Sequence, residues 1–407
     1  MSYRRLTGAC LISGILLVSS LISGCSPAGG GAIALNLPEI GQSPAASQAQ
    51  NGGSDEFETI RQAADAYVNS GQALTISAKN IYDSMVAVSP KLVWIIRGNE
   101  SMAPFEVQYY DPYNYNKGPF IIDVRPKEPE MPNPFSKGHV PGSLHISWRQ
   151  LTLYKNFVNM PRQRQIVVVS STGEAGAQVA AILRVMGYEA VALEWGMASW
   201  AGATDSLTSY DKSRDTVSDW GTDYTSGSTP EPTETYALPV VDNTESTDKA
   251  IVLLAAASAY LTSEARRSDM KASDLYQALN FEPNTAAQIF LSTFFTGSTT
   301  GNPYTQPFIL DIRDTAAFNQ GHLSGALNVY LKDVFETENL ERLPPDRQIL
   351  VYGDNGHESS AVTALLNLLG YHARNLRWGM AADQFVPTRD CMNYQVVTGL
   401  NSFVCTS

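Results

Sequence analysis

Cysteine, histidine and basic residues are all scarce in this chain of 407 residues, and each shortage closes off a class of function. Only four cysteines occur, Cys10, Cys25, Cys391 and Cys405, and no two have the spacing of a metal knuckle or a redox pair. The five histidines have no carboxylate or thiol at ligand spacing, so neither a metal nor a cofactor is expected. Lysine and arginine number 28 against 40 acidic residues, a formal charge of −12. Such a balance argues against nucleic acid and against broad adhesion to anionic headgroups. Long apolar runs are missing too: Leu11 to Ile22 is too short to span a bilayer, and Ala250 to Tyr260 reads as a buried helix.

The amino terminus reads as an export signal. Arg4 and Arg5 precede the uncharged run, which ends in Leu21-Ile22-Ser23-Gly24-Cys25. That ending resembles the lipobox of bacterial lipoproteins. The resemblance implies a signal peptide over residues 1–24, a diacylglycerol on Cys25 and a membrane-anchored place in the cell envelope, on the extracytoplasmic face. Cys10 would leave with the signal. Cys391 and Cys405 would then share an oxidising compartment, where a disulfide is the expected state and a pair of reactive thiols the rival. Closing a loop of this size contributes about 3 kcal/mol.

Residues 25–54 are Gly, Ala, Ser, Gln and Pro with few charges, and read as a flexible tether. A second low-complexity segment, 204–247, is acidic: residues 201–250 hold ten carboxylates against Lys212, Arg214 and Lys249. It reads as a solvated, self-repelling linker between two domains, 55–203 and 248–407, each long enough to bury its own core.

The sequence repeats itself across that linker. Pro119-Phe120-Ile121-Ile122-Asp123-Val124-Arg125 matches Pro307-Phe308-Ile309-Leu310-Asp311-Ile312-Arg313. Gly138-His139-Val140-Pro141-Gly142 matches Gly321-His322-Leu323-Ser324-Gly325, and Trp195-Gly196-Met197-Ala198 matches Trp378-Gly379-Met380-Ala381. From the Gly-His pair onward the offset holds at 183 residues without a gap. In each unit apolar strands, such as Ile166 to Val169 and Ala190 to Leu193, alternate with helices expected over Ala177 to Met186 and Ser360 to Leu369. The fold class is therefore α/β, each domain a mostly parallel sheet with helices on both faces.

These landmarks resemble the rhodanese domain: the Asp-x-Arg strand end, the Gly-His-hydrophobic-Pro-Gly turn, and the Gly-Tyr after the long helix. Trp195-Gly196-Met197-Ala198-Ser199-Trp200 is similar to that family's closing Gly-Gly-x-x-x-Trp, with tryptophan in place of the first glycine. The family's active loop, Cys-x-x-Gly-x-Arg, opens a helix. Its thiolate takes up sulfane sulfur as a persulfide, while backbone N–H groups and the arginine hold the anion.

The matching loops here are Ser170-Ser171-Thr172-Gly173-Glu174-Ala175 and Gly353-Asp354-Asn355-Gly356-His357-Glu358. Ser170 and Gly353 stand at the cysteine position, Ala175 and Glu358 at the basic one. Serine cannot store a sulfane sulfur, and glycine has no side chain. Glu174, Asp354 and Glu358 are expected to add negative charge to a cradle built for an anion. The resemblance thus implies the fold without its persulfide chemistry: a non-catalytic module binding an envelope protein or a small ligand. A sulfurtransferase using a displaced or partner-supplied thiol is the alternative.

Individual residues carry further expectations. Ser170 lacks a Gly-x-Ser-x-Gly elbow and an adjacent base, so it reads as a loop-capping serine. Asp123 with Arg125, and Asp311 with Arg313, are expected to pin strand ends to neighbouring loops. His139 and His322 are expected to bond backbone in their turns. His145 has Asn328 as its counterpart, which excludes a repeated metal site. His357 is a candidate anion ligand when protonated. The Tyr109-Tyr110-Asp111-Pro112-Tyr113-Asn114-Tyr115 stretch reads as a turn-rich loop packed on its own domain, with a sugar or peptide contact as the alternative.

Overall fold

The computed structural model describes residues 55–88, 118–125, 134–153, 156, 160–201, 223–228, 232–263, 269–279 and 307–381. The signal segment, the tether, Cys25, the tyrosine-rich stretch, Cys391 and Cys405 lie outside the described residues.

Helix α1 (Asp55–Val68) opens the first repeat and is followed by β1 (Thr75–Ile76) and α2 (Ala78–Val88). Next come β2 (Phe120–Asp123), α3 (Pro134–Lys137), β3 (Leu144–His145), β4 (Ile166–Val169), α4 (Glu174–Val185), β5 (Ala190–Leu193) and α5 (Gly196–Ala201). After β6 (Tyr224–Thr225), the second repeat begins with α6 (Lys249–Thr262), β7 (Asp269–Met270) and α7 (Ala272–Leu279). It continues through β8 (Phe308–Asp311), α8 (Thr315–Gln320), β9 (His322–Leu323), β10 (Leu327–Asn328), α9 (Thr337–Leu340), β11 (Gln348–Tyr352), α10 (His357–Leu368) and β12 (His372–Leu376).

Each repeat makes a five-stranded sheet of the same order, β1-β5-β4-β2-β3 and β7-β12-β11-β8-β10, with every pairing parallel. The central strands are apolar at consecutive positions because both sheet faces are covered. Ile121, Val167 and Val191 pack with α2 and α5 on one face, while Ile122, Ile166 and Val168 pack with α1 and α4 on the other. In the second sheet Ile309 and Leu350 face α7 and α8, and Leu310, Ile349 and Val351 face α6 and α10.

Each domain has its own core on the outer face of its sheet, but the inner cores are not separate. The inner faces of both sheets, with α1, α4, α6 and α10 between them, form one continuous apolar cluster, and residues 52–407 form a single unit. Amphipathic patterning fails for the two central helices: α4 is buried at every position from Gly176 to Leu183, and α10 at every position from Ser359 to Leu368. Each is packed on its own sheet and on the other repeat. Small side chains at Ala177, Ala180 and Ala181 on α4, and at Ala361 and Ala364 on α10, let the helices approach. Both helices also begin three residues earlier than the apolar pattern suggests, at Glu174 and His357, with Gly173 and Gly356 at the cap.

The linker is not a free coil over its described part. Tyr224–Thr225 pairs antiparallel with His322–Leu323. Val241 is buried and Leu238 packs on the shared core. The backbone N–H groups of Asn243 and Thr244 donate to the Glu56 carboxylate at 2.8 and 2.9 Å. Burial of Leu238, Pro239 and Val241 lays this acidic segment on the protein, while Val240 between them points to solvent.

Candidate functional site

The two loops that stand where rhodanese chemistry would be housed run from β4 into α4 and from β11 into α10. In the first, Ser170 is buried and its Oγ accepts the Gly173 N–H at 3.0 Å. The Ser170 and Ser171 carbonyls accept the N–H groups of Met197 and Ala198 at 2.8 and 3.2 Å, so the start of α5 clamps the loop. In the second, the Gly353 carbonyl accepts Met380 N–H at 3.0 Å, and Asn355 Oδ1 accepts His357 N–H at 3.1 Å. The close approach explains the Trp-Gly-Met motif: a Cβ at Gly196 would lie 2.2 Å from the Ser170 carbonyl oxygen, and one at Gly379 would lie 2.3 Å from that of Gly353.

The loops meet each other across the shared core, with matching positions making matching contacts. The Trp195 N–H donates to His357 Nε2 at 3.1 Å, and the Trp378 N–H donates to Glu174 Oε1 at 3.2 Å. Glu174 and His357 are the first residues of α4 and α10, one repeat apart. Each repeat therefore places its helix-opening side chain on the other's tryptophan backbone. The Trp195 and Trp378 rings stack at 5.5 Å and 18°, and the His357 ring meets Trp195 edge-on at 4.6 Å. Both tryptophans hold positive φ, 56° and 67°, where the family's glycine would sit without strain. A conformation that costs a bulky residue about 1–2 kcal/mol persists here because burial and stacking over-determine it.

These contacts set the charge state of the site and correct two expectations. His357 is 1 % exposed and burial pushes its pKa down to about 4. With Nε2 accepting a hydrogen bond, the ring is neutral and carries its proton on Nδ1, so it is not an anion ligand. Glu174 is buried as well. Burial pushes it up to about 7, against the nearby Arg377 guanidinium and a hydrogen bond from Thr172 Oγ1, with Asp269 adding to the rise. It is therefore not a fixed negative charge on the cradle. Asp354 and Glu358 are exposed, with Asp354 Oδ1 3.9 Å from Arg313 Nη1. Ser171, Ala175 and Asn355 are half-buried.

Around this centre the remaining residues hold the frame. Arg125 is 1 % exposed and clasps Asp123 through Nε and Nη2, with Nη2 also donating to the Gly138 carbonyl at 2.7 Å. Arg313 does the same with Asp311 and the Gly321 carbonyl at 2.8 Å. His139 and His322 donate from Nδ1 to Phe135 and Phe318 carbonyls at 2.9 Å and stack on the same phenylalanine rings. His145 Nε2 donates to the Arg125 carbonyl at 2.9 Å, and Asn328 Nδ2 to the Arg313 carbonyl at the same distance. A histidine and an asparagine thus do one structural job. No cluster of three or more potential metal ligands occurs among the described residues.

What sequence reasoning missed is the reciprocal contact itself. Its one visible trace was the tryptophan that replaces glycine in both copies.

No curated protein matches this chain. Among solved structures, the chain is similar to a thiosulfate sulfurtransferase from Pseudomonas aeruginosa at 12 % identity, covering 78 % of this chain and 46 % of that one, with a TM-score of 0.25. It is also similar to the 3-mercaptopyruvate sulfotransferase SseA from Escherichia coli at 15 % identity, covering 75 % of this chain and 97 % of that one, with a TM-score of 0.22. A protein from Staphylococcus saprophyticus aligns at 19 % identity over 30 % of this chain and 88 % of its own, with a TM-score of 0.19. The family model described as a rhodanese-like domain matches this chain twice in tandem, at residues 109–203 and 300–384.

Proposed function

We propose that this chain is a lipid-anchored protein of the cell envelope whose two rhodanese-like domains do no sulfur transfer and serve to bind a protein partner or a small ligand. The observation that carries this reading is the state of both loops. Neither has a nucleophile at the cysteine position, and each is stoppered by a side chain from the other domain, His357 at one and Glu174 at the other. A persulfide cradle needs an open anion site lined by N–H donors and positive charge. Here Arg125 and Arg313 are committed to their strand-end aspartates, Arg377 is paired with Asp269, and Asp354 and Glu358 bring carboxylates to the second loop.

Full-length protein given thiosulfate and cyanide should yield no thiocyanate above a protein-free control. Thiocyanate formation that stops when Cys391 or Cys405 is alkylated would replace this reading with a displaced-thiol sulfurtransferase. The anchor rests on the Ile22-Ser23-Gly24-Cys25 run. Cells fed a palmitate analogue should label the protein, and Cys25→Ala should remove the label. Label retained by that variant would refute the anchor.

A further inference from the structure

A groove of about 940 Å³ is walled by α1, by the stretch running from the end of α4 towards β5, and by the first turns of α6. Its size is that of a site for a small organic molecule. Val185, Leu253 and Leu254 give it apolar walls. Three cations line it, Arg162, Arg184 and Lys249, against two carboxylates, Glu189 and Asp248, in a chain that is strongly acidic elsewhere.

These charges are not equally available. Arg184 is spent on the Ala73 carbonyl, Ser70 Oγ and Gln72 Oε1. Asp248 caps α6, accepting from Ala250 and Ile251 N–H at 2.8 and 3.3 Å. Arg162 and Lys249 make no ion pair among the described residues. Arg162 instead lies over the Tyr188 ring, 4.5 Å from its centroid, a placement that leaves its N–H edge to a ligand. Tyr67 supplies a second, independent sign. It is 5 % exposed and lines the groove, yet its hydroxyl makes no hydrogen bond to any described residue. The ring is buried while the hydroxyl oxygen still reaches solvent, so its donor is available in the groove.

We propose that this groove binds a small organic anion, a carboxylate on an apolar or aromatic body, with Arg162 and Lys249 holding the charge and Tyr67 donating its hydroxyl. This deepens the binding role proposed above and rests on it. It does not depend on the absence of sulfur transfer, which the thiocyanate assay tests separately.

The test is calorimetric titration of the full chain with 2-naphthoate and with 2-naphthamide, its uncharged isostere. Naphthoate should bind saturably at one site, and naphthamide about fivefold or more weakly, the worth of one charge-assisted contact. Arg162→Gln and Lys249→Gln should each weaken naphthoate by a similar factor and leave naphthamide unchanged. Tyr67→Phe should weaken binding while leaving the melting temperature in place, since the hydroxyl has no partner in the fold. Ala250→Trp, which fills the groove from an exposed position on its wall, should abolish both. The absence of saturable naphthoate binding, equal affinity for acid and amide, or indifference of naphthoate to both cation variants would overturn the assignment.

Discussion

Replacing Gly173 with alanine is the sharpest probe of the contact between the two loops. The backbone there has φ +100°, and a Cβ would stand 2.3 Å from His357 Nε2 and 2.9 Å from Trp195 N. The backbone conformation alone costs an L-residue about 1–2 kcal/mol. Pushing the His357 ring away also leaves the Trp195 N–H buried without its acceptor, about 1–3 kcal/mol more. The variant should therefore lose about 3 kcal/mol. Gly71 is the unobstructed comparison, since it has φ +67° and nothing within 4 Å of a Cβ, so Gly71→Ala should lose only about 1 kcal/mol. Urea unfolding followed by tryptophan fluorescence and far-ultraviolet dichroism measures both. The double-mutant cycle with His357→Ala is decisive: with the ring gone, Gly173→Ala should keep its backbone cost and the close approach to Trp195 N but lose the clash with the ring, a coupling of about 1–2 kcal/mol. A Gly173→Ala variant no weaker than Gly71→Ala, or additive behaviour with His357→Ala, would refute an inter-domain contact at this point.

The same pair should give stability two opposed responses to pH. Glu174, raised from 4.5 to about 7, contributes about 3 kcal/mol that is fully present below about pH 4.5 and lost as pH rises through 7. His357, lowered from 6.5 to about 4, contributes a similar amount that is present above pH 6.5 and lost as pH falls towards 4. Between pH 4.5 and 6.5 the slopes cancel, so melting temperatures of Glu174→Gln should rise across that window and those of His357→Asn should fall; parallel curves would contradict both assignments. Restoring the family chemistry should be hard for a stated reason. Ser170→Cys places a thiol in a buried, stoppered loop and should give thiocyanate formation barely above background, whereas adding Ala175→Arg should raise it; full activity from the single substitution would show that the loop is open.

Strand positions were legible because β-branched runs such as Ile166 to Val169 have few other homes, and the repeat doubled every such signal. The Asp123–Arg125 and Asp311–Arg313 clasps follow from a local i, i+2 geometry that motif spacing already encodes. The interface was not legible. Glu174 and His357 open helices, where a polar residue ordinarily points to water, and nothing local to either residue says that another domain covers it. The linker misled for a related reason. Net charge of the whole segment hid Leu238, Pro239 and Val241, whose burial decides where the chain runs. The all-round burial of α4 and α10 could have been read from their composition, since Ala177 to Leu183 contains no charge.

The central layer of four helices changes what the tandem repeat means for the history of this chain. Two copies fresh from duplication are interchangeable, and either can be lost or drift without consequence to its twin. Once α4 and α10 bury one another, each copy becomes the other's environment. A larger side chain on the buried face of α10 is felt by α4, and a chain cut down to one copy exposes an apolar face wide enough to seek company in aggregates. The halves have forfeited modularity: they must vary in concert, unfold as one body and be degraded together.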